Sequence, residues 1–125
     1  MFVIDSNKTI HITRGDVATI EIGCDGADGN PYEFKSGDTV RLKVFERRNC
    51  ANVILVKNVT ADADTTTVEI TLDETDTKLG EIINKPVDYW YEIELNPEQN
   101  PQTIIAYDSD GPKVFRIYPE GGEHR

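Results

Sequence analysis

Histidine, cysteine, methionine and tryptophan are nearly absent from this chain: two, two, one and one in 125 residues. That scarcity excludes much chemistry. His11 and His124 have no neighbouring Cys or Asp arranged as a triad or a metal set, and both are read as solvated side chains. Cys24 and Cys50 lack the short spacing of a metal knuckle. Two reduced, half-buried thiols are expected in a cytoplasmic protein, although sequence leaves open whether the two pair. No apolar run reaches the length of a membrane span. The stretch Met1-Phe2-Val3-Ile4-Asp5 has neither a basic segment nor a long apolar one, so it does not read as a signal peptide. Synthesis in the cytoplasm is the expectation.

Positive charge is also scarce. Thirteen Lys and Arg face 23 Asp and Glu, for a net charge of −10. Phosphate binding needs a basic footprint, and Arg47-Arg48 is only a pair, so nucleic acid is not an expected partner. The acidity is read as solubility. There is no GxSxG elbow, HExxH or phosphate loop, and the glycines punctuate turns. So many carboxylates always supply pairs, but nothing singles one out. No catalytic residue, metal or cofactor is assigned, and an enzyme is not expected. The Asp-rich stretches at Asp25/Asp28/Asn30, Asp62/Asp64 and Asp108/Asp110 offer too few ligands for calcium and are read as turns. Arg14-Gly15-Asp16, although it spells an integrin tripeptide, is likewise a turn.

What the chain has is alternation. In Val87-Asp88-Tyr89-Trp90-Tyr91-Glu92-Ile93-Glu94-Leu95, the side chains of Tyr89, Tyr91, Ile93 and Leu95 share one face. A period of two with aromatic and β-branched residues marks a strand with one buried face. Trp90 is left on the other face, where core, cover or interface, and ligand platform are all open roles. The same period predicts Lys8–Thr13 and Val17–Cys24 as a hairpin around Arg14-Gly15-Asp16, with Ile10, Ile12, Ala18, Ile20 and Ile22 inward. It also predicts Asp38–Arg47, with Val40, Leu42 and Val44 inward and Phe45 outward if the alternation persists. Val53–Val59 reads as a strand of ambiguous facing. Thr66–Leu72 follows, with Val68, Ile70 and Leu72 inward. Asp73–Gly80 is expected to form one helical turn capped by Asp73. Gln102–Tyr107 and Lys113–Tyr118 complete the set as one strand or two.

Seven to eight short strands with turn signals between them predict an all-β, antiparallel β-sandwich of immunoglobulin-like type with one short helical turn. It is expected as a single domain over residues 1–125, with an ordered core at about 8–119.

The order Ile12-Thr13-Arg14-Gly15-Asp16, Asp38-Thr39-Val40-Arg41-Leu42-Lys43-Val44, Asp76-Thr77-Lys78-Leu79, Tyr89-Trp90-Tyr91-Glu92-Ile93 and Phe115-Arg116-Ile117-Tyr118-Pro119 resembles a known family. It is similar to the immunoglobulin-like domain of phage and prophage tail or baseplate proteins of Gram-positive bacteria, above all the N-terminal domain of upper baseplate proteins. The resemblance implies a non-enzymatic structural protein of a virion assembled in the bacterial cytoplasm. It would contact other tail or baseplate proteins, and a homo-oligomer is among the partners the resemblance allows. Attachment of a receptor binder and a small accessory role both stay open. A carbohydrate- or cell-surface-binding module, with Trp90 as its platform, is the alternative.

Overall fold

A computed structural model describes residues 2–5, 8–23, 29–48, 52–79, 85–96, 102–105 and 113–119, the stretch 102–105 by its backbone. They contain β1 (Phe2–Ile4), β2 (Ile10–Thr13), β3 (Ala18–Ile22), β4 (Thr39–Phe45), β5 (Val53–Thr60), β6 (Val68–Leu72), β7 (Val87–Leu95), β8 (Gln102–Ile105) and β9 (Lys113–Tyr118). The large sheet runs β1-β2-β9-β7-β4-β5, with β8 also on β7, and β3 pairs β6 in a second sheet. The two strands β3 and β6 thus share one core with the large sheet. The fold is an all-β sandwich, and among the described residues there is no helix.

Alternation placed the core well wherever one face is buried. Ile10, Ile12, Ile20, Ile22, Val40, Leu42, Val44, Ile70, Leu72 and Ile93 are all almost fully enclosed, and the structure adds Phe115 and Ile117 of β9. Each such side chain contributes about 1.5–3 kcal/mol through burial. Tyr89 is half-buried against this core, and Tyr91 is inside it. Burial pushes the Tyr91 hydroxyl well above its ordinary pKa, and that hydroxyl donates to the Lys8 carbonyl at 2.6 Å.

Several expectations change. β2 and β3 do not form a hairpin; they lie in different sheets. The Asp16 N–H donates to the Thr13 carbonyl at 3.0 Å, and Gly15 takes φ 86°, a turn with glycine in its third position. Such a turn does not match the twist of paired strands as hairpin turns do. Instead it carries the chain across the core, so that isoleucines of β2 and β3 reach the same interior. The sandwich is not wholly antiparallel either, because β2 runs parallel to β9. A ninth strand, β1, begins at Phe2 and precedes the expected start of the ordered core. β8 and β9 are two pieces along β7: β9 pairs with Val87 to Tyr91, and β8 with Ile93 to Leu95.

The segment after β6 makes the single helical turn that was expected and does not extend into a helix: the Thr77 N–H donates to the Asp73 carbonyl at 3.3 Å. Asp73 and Asp76 cap each other reciprocally, with side-chain oxygens accepting backbone N–H groups at 2.8 and 2.9 Å. Thr77, the last residue of that turn's first bond, is fully buried. Gly80 lies outside the described residues.

A second polar hub fixes the start of β4. Asp38 Oδ2 accepts from the Lys35 N–H at 2.9 Å and the Tyr32 hydroxyl at 3.2 Å, while Oδ1 accepts from the Asn96 amide at 3.1 Å. The Lys35 N–H above all, then Asn96 and Tyr32, hold the Asp38 carboxyl below the usual carboxylate range. A depressed folded pKa gives stability that is complete above the unfolded value and is lost as pH falls through the folded one. Asp38→Asn is therefore expected to lower the melting temperature at neutral pH, with the gap to the parent closing in acid. A melting series down through the carboxylate range checks this, and a gap that does not depend on pH refutes it.

Candidate interaction surface

The face of the large sheet turned away from the small sheet is built by register. Val114 of β9 lies beside Trp90 of β7, Trp90 beside Phe45 of β4, and Phe45 beside Val53 of β5. Adjacent strands are separated by about 4.8 Å, so this apolar row spans about 14 Å. Phe45 is only 4% exposed, yet it lies outside the main core cluster. Trp90 and Val114 are half-buried, while Val53 is 49% exposed.

The row depends on an irregularity. The β4–β5 register shifts between Val44, which pairs with Leu55, and Phe45, which pairs with Val53. Ile54 is the extra residue. It packs against the core, and Val53 is left exposed at the end of the row. Bulges re-aim side chains at sheet edges in this way. This resolves the ambiguous facing of β5.

Charged ladders flank the row. On one side Glu92, Lys43 and Val56 form the next row, then Glu94, Arg41 and Asn58. Lys43 Nζ reaches the Glu94 carboxylate at 2.9 Å, and Arg41 Nε donates to Asn58 at 2.8 Å. Partial burial, then the charge of Glu94, raise the Glu92 carboxyl above its ordinary value, opposed by Lys43.

On the other side Arg116 grips Asp88 with Nε and Nη2 at 2.6 and 3.2 Å. Beside Arg116 in register is His11. His11 is not a free, solvated side chain: Nε2 meets Asp5 Oδ2 at 2.8 Å and Nδ1 meets the Tyr118 hydroxyl at 2.7 Å. This chain ties β1, β2 and β9 together. In the neutral ring, Nε2–H donating to Asp5 leaves Nδ1 to accept from Tyr118, so both nitrogens are satisfied.

Trp90, the one residue singled out by sequence, thus stands on the outer face and not in the core. Phe45, Val53, Val56 and the Asp5–His11–Tyr118 chain were missed. Asp64 takes part in turn geometry, accepting the Ser36 N–H at 3.1 Å. Cys24, Cys50, His124, Asp25, Asp28, Asp108 and Asp110 lie outside the described residues. Among the described residues no group of three or more His, Cys, Asp or Glu is placed to hold a metal. No family model, curated protein or solved structure matches the chain.

Proposed function

We propose that this chain is a non-enzymatic interaction domain of a phage or prophage particle, part of its tail or baseplate, and that it works by protein–protein contact. The observation that carries the contact role is the apolar row of Val114, Trp90, Phe45 and Val53 on an outer sheet face, flanked by ion pairs. Interface centres favour such aromatic anchors, with polar groups at the rim. The assignment to a phage particle rests on the resemblance in strand order and motifs.

The proposal predicts tail or baseplate genes beside this one and binding of their products to this chain; a neighbourhood without them, or products that do not bind, refutes it. Trp90→Ala is expected to weaken capture by about 2 kcal/mol or more, roughly thirtyfold, as loss of a central anchor does. Trp90→Phe should retain most of the affinity. Binding to a glycan array that disappears in Trp90→Ala, with no tail protein captured, would replace this reading by the sugar-binding one.

A further inference from the structure

The edges of this sandwich are unequal. β1 has three residues, and β3 and β6 have five each, with Glu21 and Glu69 exposed on them. β5 has eight and, among the described residues, ends the large sheet. Between Val53 and Thr60 it contains no proline and one charge, Lys57. An edge lysine ordinarily discourages a second strand. Here Lys57 shares a register position with the buried Leu42, and its ammonium is taken up by Asp76 at 3.0 Å. Val53 and Val56 remain exposed, at 49% and 45%. A strand of this kind presents unpaired N–H and C=O groups, and what complements them is another extended backbone.

The two ends of β5 indicate whose backbone. Arg47 and Arg48 precede the strand, and Asp62 and Asp64 follow it; all four are exposed. Lys35, which approaches Asp64 at 3.9 Å, is itself tied to Glu33. Glu46, at the basic end, lines the cleft that also holds Lys78 and Tyr89. Two β5 strands related by a two-fold axis run antiparallel, so the basic end of each lies beside the acidic end of the other. A parallel match would set like charge against like. Away from its ends the strand adds no net negative charge of its own, which matters for two chains that each carry −10.

We propose that two copies of this chain pair through antiparallel β5 edges and join their large sheets into one. The pairing does not depend on the docking role of Trp90: the β5 backbone groups lie in the plane of the sheet, whereas Trp90 projects from its face.

Sedimentation equilibrium of the whole chain over a concentration series tests this. A reversible dimer is expected. Val56→Lys should raise its dissociation constant more than about tenfold, because the two-fold then brings a lysine from each copy close together near the middle of the paired edges. An unchanged thermal midpoint at low concentration would show that the variant still folds. Val3→Lys, at a site 50% exposed on β1 at the opposite edge of the large sheet, should leave the dimer intact, as should Trp90→Ala. Arg48→Glu and Asp62→Lys should each weaken pairing, and an equimolar mixture of the two should restore it, because the mixed pair is complementary at both ends. A chain that stays monomeric at every soluble concentration overturns the proposal. So does a dimer indifferent to Val56→Lys, or a charge-reversed mixture no tighter than its components.

Discussion

Phe34→Ala is expected to cost about 3–5 kcal/mol, the range for truncating a buried phenylalanine. A domain of this kind has about 5–15 kcal/mol in total, so this one change removes a large share of its stability. The reason lies in the imbalance of the sheets. Two strands, β3 and β6, face a seven-stranded sheet, and connecting segments must complete the cover. Phe34 is 0% exposed although it belongs to no strand. Its N–H donates to the Thr65 carbonyl at 2.7 Å, and its carbonyl accepts the Thr65 N–H at 3.0 Å, an isolated bridge that continues the β4–β5 register beyond Thr39 and Thr60. Tyr32 meets the Phe34 ring edge-on at a centroid distance of 5.2 Å, and the Asp38 carboxylate holds the Tyr32 hydroxyl. That segment cannot easily collapse into a gap, so the cavity term is added to the lost transfer energy. Phe34→Leu keeps more of the volume and should lose much less. Urea unfolding at constant slope measures both changes. A loss below about 1 kcal/mol for Phe34→Ala would mean that the segment yields freely, and that β3 and β6 alone define the cooperative core.

The parts of this fold that were legible in sequence are those decided by local burial. Alternation at Ala18-Thr19-Ile20-Glu21-Ile22 and at Val68-Glu69-Ile70-Thr71-Leu72 names the inward residues, because a slip of one position would expose every isoleucine. Pairing is not local. The same alternation in β2 and β3 fits a hairpin and a crossing between sheets equally well, and only Gly15, with its positive φ, separates the two. The parallel match of β2 with β9 joins residues about a hundred positions apart and leaves no periodic trace. Trp90 was visible as the odd residue of an aromatic strand. Its neighbours in the row were not, because three other strands contribute them and the β4–β5 register shift sets where Val53 falls. His11 looked isolated because Tyr118 is distant in sequence and Asp5 lies on the far side of a turn.

Thr77→Val should cost about 2–3 kcal/mol while hardly changing the volume it fills, since it leaves polar groups unpaired. The Thr77 hydroxyl is fully enclosed. Its oxygen accepts the Gly15 N–H at 3.0 Å, and its proton goes to the Asp16 carbonyl at 2.9 Å. One hydroxyl thus latches the turn after β6 onto the turn that carries the chain from β2 to β3. Valine would strand a donor and an acceptor in a partly closed site, whereas Thr77→Ser retains both bonds and loses a single methyl, a cost of about 1 kcal/mol. The order of the two variants is the test, because a purely steric role would make serine the worse of them. The latch also has a neighbour. Asp76 on the same turn receives Lys57 from β5, so the two adjacent residues bind the small-sheet side to both flanks of the large sheet. A double-mutant cycle of Thr77→Val with Lys57→Met should then be non-additive by about 0.5 kcal/mol or more, as for residues that share one structural element. Additive losses would show that the turn is held at each point independently, and that loosening the latch leaves the position of the β5 edge unchanged.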